Sequence, residues 1–222
     1  MIAGPDGWWL APEGAALHVE QRVAVVADVH LGYEWARGAG GDCLPAHSLR
    51  ETIAKLDPLL RRHPVDRLVV AGDLVESPRR CPRTEADLRG LYTWLDARGV
   101  RLVPVLGNHD PQGSGKVPLT LEVGGWTIHH GHRAVAGAKT ISGHHHPVLR
   151  ADGLTAPCFV VAPDRIVLPA FTPNAAGMPV GTPGMPADWL RDGTRVVAGL
   201  GGELLDFGPL RPLVRRLGLG PG

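Results

Sequence analysis

The sequence predicts a sheet-rich α/β fold, and three observations predict it. The first half of the chain alternates short aliphatic runs with stretches of helical period. The second half is a succession of short apolar runs broken by Gly, Pro and Asp. With 30 Gly and 21 Pro in 222 residues, and aromatics at only 5%, many tight connections between short elements are expected rather than a helical bundle.

Val23 to Ala27, Leu68 to Ala71 and Leu102 to Leu106 read as buried strands, each ending in polar residues. Between the first two, Ser48 is placed to cap a helix with Leu49, Ile53, Leu56 and Leu60 on one stripe, and Pro58 is expected to kink or break it. Between the next two, Thr84 and Asp87 resemble a capping box. Leu88, Leu91, Tyr92 and Leu95 form the stripe of that helix, and Gly99 is placed to stop it. The order is β-α-β-α-β.

After Asp110 the helical pattern fades. Leu119 to Val123, Trp126 to His129, Lys139 to Ser142, Cys158 to Ala162 and Arg165 to Leu168 read as strands, and Pro173 to Pro186 as a long surface loop. Arg195 to Ala198 and Glu203 to Phe207 are expected to form a hairpin around Gly201-Gly202. A single domain over 1–222 is expected, with a mobile tail from about Leu210 to Gly222.

A net charge of +1 supplies no global field for nucleic acid or an anionic membrane, so a polyanion must be held locally. Cys43, Cys81 and Cys158 are odd in number and far apart, which predicts buried reduced thiols rather than a disulfide framework. Trp8-Trp9-Leu10 lacks the flanks of a signal peptide, and no apolar run approaches the roughly 20 residues of a membrane span. A soluble cytoplasmic protein is expected.

Five polar clusters each follow an apolar run: Asp28-Val29-His30, Gly72-Asp73, Gly107-Asn108-His109-Asp110, His130-Gly131-His132 and Gly143-His144-His145-His146. The loops leaving the carboxyl ends of strands line one crevice, where ligands bind. The histidines concentrate at His30, His109 and between His129 and His146, which scattered surface histidines would not do. Asp28 and His30 are two apart, as are His144 and His146, so on extended backbone each pair would point to one side. Asp73 has two oxygens with which to bridge two cations, Asn108 adds a neutral oxygen, and His130 an imidazole.

Two ions roughly 3.5–4 Å apart can share a hydroxide and clamp the attacking and leaving oxygens of phosphorus. The donor set therefore suits phosphoester hydrolysis. Carboxylate, amide and imidazole without thiolate favour transition metals over calcium or magnesium. Manganese is the expected metal, with iron, zinc, cobalt and nickel as alternatives. His109 is expected beside the ions as an acid toward the leaving alkoxide, its tautomer fixed by Asp110. His132 is a candidate for approaching the phosphate. Arg79 and Arg80, with Arg83 near them, could hold a phosphate backbone, whereas His129 and His145 read as structural.

These motifs, in this order from Asp28 to His146, resemble the calcineurin-like metallophosphoesterase superfamily. Ala27-Asp28-Val29-His30-Leu31-Gly32-Tyr33-Glu34, Leu44-Pro45 and Gly143-His144-His145-His146-Pro147-Val148 are similar to the DNA-ligase-associated branch and its archaeal relatives. Pro157-Cys158-Phe159 and Leu168-Pro169-Ala170-Phe171 continue the likeness, while Glu76 stands where that branch leads one to expect histidine.

The resemblance implies a four-layer α/β/β/α sandwich of two mixed sheets flanked by helices, with two divalent metal ions. It places Asp28, His30, Asp73 and His146 on one ion, and Asp73, Asn108, His130 and His144 on the other. His109 would be the catalytic histidine. Hydrolysis of phosphodiesters or phosphomonoesters is implied, and the ligase-associated branch implies a DNA-repair phosphodiesterase or nuclease. The competing expectations are a phosphomonoesterase or cyclic-nucleotide phosphodiesterase for small metabolites, and a scaffold that has lost its chemistry. The scaffold is disfavoured because every expected ligand and His109 remain.

Overall fold

Alternation along the buried strands decides how the layers stack. In a computed structural model, which describes residues 1–112, 117–135, 137, 139–151 and 153–217, the chain opens with β1 (Ile2–Ala3), β2 (Trp8–Ala11), β3 (Ala15–His18) and β4 (Val23–Val26). Helices α1 (Tyr33–Ala39) and α2 (Ser48–Arg62) lead to β5 (Arg67–Ala71), and α3 (Pro82–Asp96) leads to β6 (Arg101–Val105). These strands form a six-stranded sheet in sequence order, antiparallel to β4 and parallel from β4 to β6.

The second sheet takes β7 (Thr120–Val123), β8 (Trp126–His129), β9 (Thr140–Ser142), β10 (Pro147–Ala151), β11 (Leu154–Ala162), β12 (Arg165–Val167), β13 (Met178–Pro179), β14 (Arg195–Leu200) and β15 (Glu203–Pro209). Its path runs β13-β10-β11-β12-β9-β8-β7, with the β14–β15 hairpin joined to β11. A 3₁₀ turn (Ala187–Leu190) and α4 (Leu210–Arg216) complete the described elements.

Ala24, Val26, Leu68 and Val70 face α2 and α3, where they pack against Leu56, Leu59, Leu91 and Leu95. Their neighbours Val23, Val25, Val69 and Ala71 face the other way, onto Trp126, Ile128, Phe159 and Ile166 of the second sheet. The outer face of that sheet, with Val160, Val167 and Val196, is covered by Trp189, Leu210, Leu213 and Val214. The result is the expected four-layer α/β/β/α sandwich. Among the described residues, no helix is long and apolar enough to cross a membrane.

Several local expectations are corrected. Ser48 does not cap α2: its hydroxyl accepts from the Gly32 N–H, and the Glu34 carboxylate caps the helix by accepting from the N–H groups of His47 and Ser48. Pro58 lies inside an unbroken α2. An interior proline costs about 3 kcal/mol, which the burial of Leu56 and Leu59, about 1.5–3 kcal/mol each, offsets.

Asp87 accepts from the Trp35 indole N–H rather than closing a capping box, and α3 starts earlier, with Pro82 in its first turn. The 173–186 segment is not a plain loop, because β13 pairs with β10 and Val180 is fully buried. The tail through Leu217 is docked by α4 rather than loose, while residues 218–222 of that expectation lie outside the described residues. All three cysteines are free, but only Cys158 is buried.

Candidate metal centre

The site forms where the strands of both sheets end. Asp28 follows β4, Asp73 follows β5, and Asn108 and His109 follow β6, while His130 and His144 to His146 follow β8 and β9 of the second sheet. Beyond the strands the first two loops stay paired: the N–H groups of Asp28, Val29 and Leu31 donate to the carbonyls of Gly72, Asp73 and Leu74. Within the second sheet the Gly143 N–H donates to the His130 carbonyl, and the two sheets join through His144, whose N–H donates to Asp28 Oδ2 at 3.0 Å.

The two-residue spacings work differently from an extended strand. Asp28, His30, Asp73, His144 and His146 have φ values of 57°, 53°, 51°, 70° and 48°, in the left-handed region. Each such residue costs about 1–2 kcal/mol, and strain of this kind clusters where a site fixes side chains against the backbone's preference. Here it bends the loops so that alternate side chains converge.

Close approach also demands glycine. A Cβ on Gly107 would lie 2.1 Å from Asp73 Oδ1, and one on Gly143 would lie 2.5 Å from Asp28 Oδ2. Gly107→Ala is therefore expected to displace Asp73, reducing metal affinity at least about tenfold and destabilising the fold by about 1–3 kcal/mol. Metal titration and thermal melts check both; an unchanged affinity would contradict the crowding.

Three groups of donors result among the described residues, one of them His30, Glu76 and His109, and the other two contain Asp28. Asp28, His30 and His146 converge, as do Asp28, Asp73 and His130. His146 Nε2 lies 3.2 Å from Asp28 Oδ1 yet is buried without a hydrogen bond. An imidazole nitrogen without a hydrogen-bond partner beside a buried carboxylate fits a bound cation. On the other side, His130 Nε2 is 3.2 Å from Asp73 Oδ2, 2.9 Å from Asn108 Oδ1 and 3.2 Å from His144 Nδ1. His130 Nδ1 faces the Ala71 carbonyl at 3.2 Å. A carbonyl only accepts, so Nδ1 carries a proton in that bond. Although burial opposes it, the Asp73 bond and the charges of Asp28 and Asp73 favour a second proton on Nε2, and a cation bound there would take that proton's place.

Asp73 acts through one oxygen more than two. Oδ1 accepts from the His109 N–H at 2.8 Å, leaving Oδ2 between His130 Nε2 and His30 Nε2, the latter at 4.0 Å. Burial alone would raise the Asp73 carboxyl, but the bond and charge of His130, the His109 N–H and the charge of His30 bring it down to about 2. Burial, with the charges of His130 and His145, pushes His144 down to about 4, so its imidazole is neutral and able to donate a lone pair at pH 7.

The expected His109–Asp110 pairing is not formed. Asp110 Oδ1 and Oδ2 accept from the N–H groups of Val75 and Gly107, and His109 Nδ1 instead faces the Glu76 carbonyl at 2.7 Å. The buried Asp110 carboxylate meets one amide of its own turn, Gly107, and one of the loop after β5, Val75, so it ties loops rather than orienting an imidazole. His132 does reach the cluster, its ring 5.1 Å from that of His130. His145 turns away onto Trp189, with ring centroids 5.4 Å apart.

Arg79 and Arg80 stand apart from the donors, at the rim of a cleft of about 310 Å³ with Leu88 and Tyr92, where Arg80 pairs with Glu85. Glu76, which the sequence marks only as a departure where histidine is expected, is the residue to which sequence reasoning gave no role. Its carboxylate lies 2.8 Å from His30 Nδ1, and the only signal for it was an acid three places after Asp73.

A family model described as calcineurin-like phosphoesterase matches residues 21–154, and the chain belongs to that family. It is accordingly a hydrolase acting on phosphoester bonds. A stretch of 91 residues, 40% of the chain, is 37% identical to the DNA double-strand break repair protein Mre11 of Methanopyrus kandleri, and spans 19% of that protein's length. The crystal structure of the nuclease MPE of Pseudomonas putida superimposes with a TM-score of 0.72 over 92% of this chain and 98% of that one, at 24% identity, which shows the shared fold.

Proposed function

We propose that the chain is a cytoplasmic, single-domain phosphodiesterase that cuts nucleic-acid strands with a pair of divalent cations, manganese first among them. The observation that carries the reading is the convergence of seven donors from both sheets: Asp28, His30, Asp73, Asn108, His130, His144 and His146. The similarity to a DNA double-strand break repair protein and to a nuclease supports a DNA substrate.

Asp28, His30, Asp73 and His146 would hold one cation, and Asp73, Asn108, His130 and His144 the other. Bound there, such a pair activates water and neutralises phosphoryl charge. The rest falls to the chain's own groups. His109, with Nδ1 donating to a carbonyl, would act as the imidazolium, its Nε2 proton going to the leaving oxygen or hydrogen-bonding the phosphoryl group. His132 lines a cleft beside His130 and would add a polar contact for the phosphate. Arg79 and Arg80 would carry the strand beyond the scissile bond.

A panel of single-stranded DNA, a chromogenic diester and a chromogenic monoester, each with Mn²⁺, tests this reading. Cleavage of DNA and the diester is expected, abolished by EDTA and restored by excess Mn²⁺. A preference for the monoester would instead support a small-molecule phosphatase, and inertness toward all three would support a scaffold.

A further inference from the structure

We infer that Glu76 is a positioning residue that fixes the ring tautomers of two histidines at once, His30 through its side chain and His109 through its main chain. The inference rests on the metal-centre reading above. Three tethers hold Glu76 in place. Its N–H donates to the Leu31 carbonyl at 3.0 Å, continuing the parallel bridge between Leu31 and Val75. Its carbonyl faces His109 Nδ1 at 2.7 Å, and its Oε2 lies 2.8 Å from His30 Nδ1. One residue thereby joins the loops that follow β4, β5 and β6.

The chemistry follows from which atoms are left over. His30 is nearly buried, and its Nδ1 makes no directional hydrogen bond within the described residues, so the Glu76 carboxylate is the group that meets it. A carboxylate on Nδ1 favours the proton there and leaves the Nε2 lone pair facing Asp73 Oδ2. It also makes the ring a stronger donor to a cation, the arrangement in which an outer carboxylate orients a metal-binding histidine. The main-chain carbonyl acts on His109 in the same way. The side-chain and main-chain effects are therefore separable by mutation.

Removing such an outer partner typically costs 10–100-fold in metal affinity. Mn²⁺ titration by calorimetry is expected to show two ions per wild-type chain, and Glu76→Gln and Glu76→Ala to weaken one of them about 10–100-fold while sparing the other. Gln keeps the side-chain shape and carries the test should the Ala variant not fold. A purely structural role would not move the second readout. In ¹⁵N-histidine spectra of the Zn²⁺-loaded protein, with His30 and His109 assigned by His30→Gln and His109→Asn, both rings should carry the proton on Nδ1. In the Glu76 variants, where a cation on Nε2 still keeps the proton on Nδ1, the His30 Nδ1–H resonance alone should shift upfield as its carboxylate partner is lost.

Folded variants with wild-type affinities and an unchanged His30 signal would overturn the inference. So would three Mn²⁺ ions per wild-type chain, because Glu76 would then be a ligand with His30 and His109. A wild-type protein that binds no Mn²⁺ would sink the metal-centre reading itself, and the inference with it.

Discussion

Asp73→Asn is expected to remove metal-dependent hydrolysis, lowering turnover on the order of 10³-fold, and to reduce bound Mn²⁺ at both positions. The size of the effect follows from the geometry. Oδ2 lies between His30 and His130, and Oδ1 accepts from the His109 N–H, so one carboxylate reaches the donors on both sides and the loop of the proposed acid. An amide keeps the shape but removes the charge between two cations, and half of its rotamers set an NH₂ against the His109 N–H.

The metal-free protein offers a second check. The Asp73 carboxyl titrates near 2 in the native state, below its ordinary 3.8, so its contribution to stability is complete above the unfolded value and is lost as pH falls toward 2. Asp73→Asn should flatten that part of the acid-stability curve. Metal analysis and acid melts read both effects, and a variant that keeps two Mn²⁺ ions would remove Asp73 from its proposed place.

His109→Asn should separate chemistry from metal binding. Turnover is expected to fall about 10²–10⁴-fold with Mn²⁺ stoichiometry unchanged, because His109 belongs to neither donor group that contains Asp28. Its backbone N–H still reaches Asp73 Oδ1 after substitution, so the loop should hold. KM should change little while kcat collapses, and the limb of the pH–rate profile that reports the acid should disappear. A variant with turnover within threefold of wild type would exclude His109 from proton transfer.

How much of this could be read from the amino acids depends on what each feature answers to. β4, β5 and β6 were legible because strands buried on both faces show as unbroken aliphatic runs. The donors were legible because each sits where such a run stops. The β1–β3 meander was not, since Ala15, Ala16 and Leu17 have little β character and are held in register by strands on either side. Pro58 misled because its local cost is outweighed by packing that no local rule contains. The Asp110–Val75 bond and the reach of Glu76 arise between residues 33 to 46 positions apart, in loops whose left-handed turns leave no periodic trace.

The donors are divided between the two sheets, with Asp28, His30, Asp73 and Asn108 on one and His130, His144 and His146 on the other. Their spacing is therefore an optical lever on the slab of Trp126, Ile128, Phe159 and Val69 that lies between. A sliding of one sheet over the other by less than an ångström, provoked by a methyl group added or deleted far from any ligand, misaligns the jaws. Interior residues of this slab thus set reactivity as well as cohesion, and directed evolution of the enzyme can be expected to find its rate modifiers there.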